Sequence, residues 1–247
     1  MKILSPAIFI TSYLLTSTTY GADDSVTRLH ALYDVTRERH LREDPRRASE
    51  DGDKRYNALW PDWTLASIQA IAKADAAALD ALDKISVTGL DEIEQVNRAI
   101  FRRMLQNELD RFRFAEHERP LDQLNYSGGA LTLNEIAGVI SFDSVRDYQD
   151  WIARIRGVDA LVEQTIALLR EGIKHKNVQP KHIILRVREQ LKAQVVDNPD
   201  QSPFFEPFKE FPPSIGPAER GQLIGVARVA IRETTVPAFR KLDAFLA

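Results

Sequence analysis

Five histidines, His30, His40, His117, His175 and His182, are the side chains of this sequence best suited to hold a metal ion or shuttle a proton. A helical zinc-hydrolase site needs two histidines four positions apart, so that both imidazoles face one ion, with a glutamate between them as base. No pair here has that spacing. His175 and His182 stand seven apart across a turn that holds Pro180, among Lys174, Lys176 and Lys181. Neighbouring cations oppose a metal, so a solvated basic turn is the expectation there.

Nucleophilic chemistry finds no better footing. The chain has no cysteine, which excludes thiolate ligands, disulfides and cysteine nucleophiles. It has no G-x-S-x-G elbow, no S-x-x-K and no glycine-rich phosphate loop. Ser127 precedes Gly128 and Gly129 but has no evident base. The loop of Tyr126, Gly128 and Gly129 is a candidate ligand or partner contact, because paired glycines let backbone amides approach a bound group. A plain loop is the commoner meaning of such a stretch.

Acids and bases are plentiful but unfocused. Asp75, Asp80 and Asp83 share one predicted helix, and Asp147 and Asp150 another. Carboxylates do acid–base work when their surroundings drive their pKa values apart; solvated helix faces account for most of these. Arg98, Arg102, Arg103, Arg111 and Arg113 are expected to pair along their own helix, with Glu94 four residues before Arg98. With 33 basic and 36 acidic residues the net charge is −3, without the basic excess of a nucleic-acid binder. No nucleic-acid partner is expected, and no catalytic, cofactor-binding or metal-binding residue is assigned.

The elements that would position any site are helical. The chain has 247 residues and is 44% hydrophobic, enough to bury a core. Val26, Leu29, Leu32 and Tyr33 recur at helical spacing up to Asp44-Pro45, where a helix must stop. Ala48 to Trp63 reads as a polar loop. Thr64 caps a helix striped by Ile68, Ile71, Ala72, Leu79, Leu82 and Ile85. Thr88 to Asp91 approximates a capping box for the next helix, striped by Ile93, Val96, Ile100, Met104, Leu105, Leu109 and Phe112. Leu131 to Ile140 is a short apolar segment read as helix. Ser144 caps a helix that Gly157 should break, and a second stripe runs from Val158 to Ile173. Pro180 suits the first turn of a helix over Ile183 to Val195. Helix resumes near Ala218, and Pro237 interrupts it before a last stripe of Phe239, Leu242, Phe245 and Leu246. Sustained period-2 runs are absent, so the expected class is all-α: an irregular multi-helix array.

Between Asn198 and Pro217 lie six prolines and four phenylalanines, and no α-helix can pass through them. Phe204, Phe205, Phe208 and Phe211 are too apolar for a free linker. Either this connecting strap packs across the helices or its phenylalanines, Phe204, Phe205 and Phe208 among them, meet a ligand or partner. Packing is favoured, since prolines lower the entropy cost of fixing it.

The N-terminus speaks to compartment. Lys2, the apolar run Ile3 to Leu15, a polar stretch and then Gly21-Ala22 have the layout of a secretory signal peptide, too short to span a membrane. Cleavage after Gly21 puts Thr19 and Gly21 at the two small-residue positions. The expectation is a signal peptide over 1–21, a helical domain over 22–247, export to the periplasm or medium, and no membrane span in the mature protein. At the other end, Ala247 closes an apolar stripe without a capping glycine or polar tail. This suits a helix whose partners lie elsewhere: in a missing C-terminal half, or in a second copy meeting Phe239, Leu242, Phe245 and Leu246.

Several ordered stretches carry a family likeness. They are Gly52-Asp-Lys-Arg-Tyr56-Asn57 with Pro61-Asp-Trp63, Asp147-Tyr-Gln-Asp-Trp151-Ile-Ala-Arg-Ile155, and Ile166-Ala-Leu-Leu-Arg-Glu-Gly172. Gln179-Pro-Lys181, Ser202-Pro-Phe-Phe-Glu-Pro-Phe208 and Val236-Pro-Ala-Phe239 follow. Together they resemble the front half of the bacterial domain-of-unknown-function family 885. The resemblance implies helical zinc metallopeptidases of a gluzincin-like kind, longer than this chain, whose histidine–glutamate zinc motif lies beyond the position matching Leu246. No catalytic residue carries over, because no position here corresponds to one. The implied role is the non-catalytic N-terminal helical portion of an exported zinc metallopeptidase, inactive alone, with zinc expected only in the full-length domain. The other reading is a periplasmic helical binding or scaffolding module without enzymatic activity.

Overall fold

The computed structural model describes residues 20–124 and 130–247. The predicted signal segment up to residue 19, and the candidate contacts Tyr126, Gly128 and Gly129, lie outside the described residues. Among those described there are α-helices, short 3-10 turns and no strand, which makes the chain all-α.

α1 (Tyr20–Glu43) ends before Pro45, whose ring starts α2 (Pro45–Glu50) beneath the Asp44 side-chain cap. The stretch read as a loop therefore holds this short helix and a 3-10 turn, Lys54–Tyr56. α3 (Leu65–Asp83) starts at Thr64, whose hydroxyl accepts from the Ser67 amide as expected. α4 (Glu92–Arg113) is capped by Asp91 itself, which accepts from the Glu94 amide at 2.8 Å; Thr88 takes no part. A nine-residue 3-10 helix, Ala130–Gly138, covers the segment read as helix.

α5 (Val145–His175) is the axis of the fold. Ser144 and Asp147 form a reciprocal capping box at its start. Gly157 does not break it. The glycine is there for Trp60, since a Cβ at that position would sit 2.9 Å from the Trp60 ring. Around α5 pack α6 (Lys181–Leu191), α7 (Pro217–Ala230) and α8 (Val236–Leu246). Pro237 does not interrupt the last pair either. A π turn, Ile231–Thr235, widens the helix just before the proline, which then occupies the first turn of α8, where its missing N–H costs no hydrogen bond.

The proline-rich strap runs as two 3-10 turns, Pro199–Gln201 and Pro203–Phe208, a form that tolerates prolines at their starts. Phe204, Phe205 and Phe208 are buried. Phe204 stacks on Trp151, whose indole N–H donates to the Phe204 carbonyl at 3.0 Å. Tyr148 stacks on Phe211 and donates to the Glu210 carbonyl. The phenylalanines thus serve packing and leave a ligand or partner no surface in this arrangement. Burying a ring of that size stabilises by roughly 2–3 kcal/mol.

In the terminal stripe Phe239 and Leu242 are fully buried in the main core and present no surface for self-association, while Phe245 and Leu246 pack against it and stay partly exposed.

The family-like stretches meet one another. Lys54 donates to Asp147 at 2.9 Å, and Trp60 donates to the Arg154 carbonyl at 2.6 Å. The Arg154 guanidinium, fully buried on α5, reaches the carbonyls of Pro45, Tyr56 and Leu59 and the Ser49 hydroxyl. One cation thereby draws together three turns of the segment between α1 and α3, adding to the Ser49 and Leu59 donors on the Pro45 and Tyr56 carbonyls and supplying that of Leu59.

Candidate functional site

A groove lies where α1 faces the α3–α4 hairpin. A small apolar cluster, Leu29, Leu82, Ile85 and Leu90, joins the three helices at one end. Beyond it the helices part around three adjoining cavities of about 240, 340 and 620 Å³.

Asp75 lies on the groove floor, lining two of the cavities, and its side chain is 3% exposed. It was expected on a solvated face. Arg39 Nη2 donates to its Oδ1 at 2.5 Å, and His40 Nε2 lies 3.2 Å from the same atom. Arg39 also binds Glu43 at 2.8 Å. Burial alone would raise the Asp75 pKa, but the hydrogen bonds from His40 and Arg39 outweigh it and hold the carboxyl below its usual range. Asp75 is thus an ionised tie between α1 and α3, with its oxygen engaged by donors, and a poor general base.

At one end of the groove Trp63, Ile68, Ile71, Phe112, Pro120 and Leu168 form an apolar wall. His117 stacks on Phe112 with planes 14° apart, and burial lowers its pKa, so the ring is neutral at pH 7. At the other end His30 Nε2 meets Glu94 at 2.9 Å and Tyr33 packs edge-on against Phe101. Burial first, and then the Glu94 charge, push the Tyr33 pKa up. The Tyr33 hydroxyl and Glu94 Oε2 are buried without a hydrogen-bond partner.

His175 and the lysines around it are exposed, as expected of a solvated basic turn, but His175 also has a partner. Its Nδ1 lies 2.6 Å from Glu118, to which Asn177 also donates. Two arginines of α4 reach across the hairpin, Arg102 gripping Asp83 through two nitrogens and Arg98 donating to the Leu82 carbonyl, while Arg111 pairs along its own helix with Glu108 at 3.7 Å, as expected.

A zinc ion needs three or four converging donors. His30, His40 and His175 each engage a different carboxylate, and among the described residues no three histidine, aspartate or glutamate side chains converge to hold a metal ion. The residues present do not fit that group. What the groove offers is an apolar-walled channel with fixed charges on its floor.

None of the sequence-predicted contacts lines these cavities: Phe204, Phe205 and Phe208 belong to the core, and the Tyr126 loop lies outside the described residues. Asp75 and Trp63 were missed as groove residues, and Arg39 as the partner that holds Asp75. Asp75 carried one usable signal, since it stands in register with Ala72, Ala78 and Leu82 on the buried face of α3.

Among the described residues no helix is long and apolar enough to cross a membrane. The family model described as "Bacterial protein of unknown function (DUF885)" matches residues 45–247. No curated protein matches the chain. Among solved structures the fold is similar to the crystal structure of "the putative lipoprotein from Colwellia psychrerythraea", with a TM-score of 0.79 and 13% identity. That match covers 90% of this chain but 41% of the other, so this chain spans less than half the length of the relative whose fold it shares.

Proposed function

The chain belongs to the bacterial family of unknown function DUF885, and we propose that it is the non-catalytic N-terminal helical portion of an exported zinc metallopeptidase, inactive alone. The observation that carries this reading is the mismatch between fold and donors. A groove with an apolar wall and a charged floor is present, while His30, His40 and His175 are each tied to a different carboxylate and no three donors converge among the described residues. Catalytic zinc needs three protein ligands and an open position. Such a set would have to come from the part of the family fold outside the segment matched here. Export is supported by the signal-like N-terminus and by the description of the solved relative as a lipoprotein.

The test compares this chain with the intact Colwellia relative under one peptide panel, with zinc added and then chelated. Zinc-dependent hydrolysis by the relative and none by this chain is expected. Equal turnover by both, or zinc-independent turnover by the relative, would remove the proposal.

The groove also supports the second reading, a periplasmic helical binding or scaffolding module. Its apolar wall around Trp63 and Phe112 suits a bound apolar side chain. If both proteins are inert towards peptides and a Trp63→Ala variant loses binding of an apolar peptide that the native chain retains, this reading replaces the first.

A further inference from the structure

α4 carries two apolar faces, and the fold uses one. Glu94, Arg98, Phe101 and Leu105 turn inward against α1 and α3. Ile93, Val96, Ile100 and Met104 lie on a second face, about 120° around the helix at 100° per residue, and are 71%, 53%, 55% and 44% exposed. They form a continuous strip some three turns, or roughly 16 Å, long. The bare side chains sum to roughly 400 Å², the size of the largest apolar patch on a typical monomer, which is often functional. Ile100 and Met104 also border the mouth of the widest cavity, where the Tyr33 hydroxyl and Glu94 Oε2 are buried without partners.

We infer that this outer face of α4 is the seat of a helix from the part of the family fold that this chain does not span. Resting on the reading of the chain as one portion of a larger enzyme, the inference names the surface by which that portion is joined to the rest. The occupant follows from length. More than half of the Colwellia chain lies outside the match, and that polypeptide must pack somewhere on the shared fold. The strip on α4 is the longest apolar face at helical spacing left bare among the described residues. The seated helix presents an apolar stripe, with basic side chains towards Asp91 and Glu92 and an acidic one towards Arg103, all three exposed. Seated there, it roofs the groove.

The experiment introduces Ile93→Glu with Ile100→Glu in this chain, and glutamate at the two structurally aligned positions of the intact Colwellia protein. Thermal melting and sedimentation are followed in both. The expected result is a melting midpoint within about 2 °C of native in this chain, where both sites face water, and a fall of about 5 °C or more in the long protein, where they are covered. Three results would overturn the inference. The long protein could be as indifferent as the short one. The short chain could lose stability to the same degree, or prove a dimer that the substitutions dissociate while the long protein is unaffected. None of these depends on zinc or turnover, so failure here is distinguishable from failure of the peptidase reading.

Discussion

Replacing Arg154 with methionine removes the buried cation that draws together several turns of the segment between α1 and α3. The side chain is fully buried, and its hydrogen bonds run to the carbonyls of Pro45 and Leu59 at 3.0 and 2.9 Å, to Tyr56 at 3.4 Å and to the Ser49 hydroxyl at 2.8 Å. It also lies 4.9 Å from the centre of the Trp60 ring. Burial lowers its pKa to about 10, so it stays charged at neutral pH. Methionine fills much of the space but removes three hydrogen bonds of 2.8–3.0 Å from a charged donor, each worth about 1.5–3 kcal/mol. The Leu59 carbonyl loses its Arg154 donor, while the carbonyls of Pro45 and Tyr56 keep the Ser49 hydroxyl and the Leu59 amide. Relief of the buried charge offsets about 3 kcal/mol, since one pKa unit corresponds to 1.36 kcal/mol. The net loss is then about 2–6 kcal/mol, a large share of the stability of an ordinary domain. Urea titration by circular dichroism should show a lower midpoint with an unchanged slope. Trp60 emission should shift to the red, and a protease should gain cleavage between Asp51 and Lys54. Arg154→Lys should fare little better, because one ammonium cannot span the same acceptors. An Arg154→Met protein within 1 kcal/mol of native, with no new cleavage, would refute this account of the segment.

Four further outcomes follow from the same structure. Gly172→Ala places a Cβ 2.6 Å from the Glu118 carbonyl oxygen and 2.7 Å from that of Asn177, so denaturant titration should show a loss of about 2 kcal/mol or more. Gly225→Ala, in the body of α7 with nothing within 4 Å, should instead stabilise by about 0.5–1 kcal/mol in the same assay. The folded pKa values of Asp75 and Asp147 are depressed, because hydrogen bonds from His40 and Arg39, and from Lys54 and Ser144, outweigh burial. Their contribution is complete above the unfolded carboxylate pKa and is lost as pH falls through the folded value, so melting midpoints should drop below about pH 4, less steeply in Asp75→Asn. If residues 1–21 are a cleaved signal, intact mass of protein recovered from the periplasm should give an N-terminus at Ala22.

The sequence displays the helices themselves because caps and period are local. Thr64 and Ser144 cap as their types suggest, the α5 stripe faces the core, and the α3 stripe divides between the groove wall at Ile68 and Ile71 and the small cluster at Leu82 and Ile85. The α4 stripe misleads for a geometric reason. At 100° per residue Ile93, Val96, Ile100 and Met104 lie on average about 140° around the helix from the face that holds Leu105, Leu109 and Phe112. A list of apolar residues thus merged two faces, of which only Leu105 is fully buried. Gly157 and Pro237 read as interruptions because their compensations, the Trp60 ring and the π turn, come from a distant partner and from backbone geometry. The groove was still less legible. Arg39 and Asp75 are 36 positions apart, and His175 and Glu118 are 57 apart; such pairs have no periodic signature. The ordered family-like motifs were readable, and they turn out to join the fold together around Lys54–Asp147 and Arg154.

The claim that this chain carries no catalytic metal site of its own is tested most directly by calorimetric titration of zinc into the purified, chelator-treated protein. The account predicts no stoichiometric binding step and no peptide hydrolysis in the zinc-saturated sample. One tightly bound zinc per chain, with turnover that disappears on chelation, would contradict it.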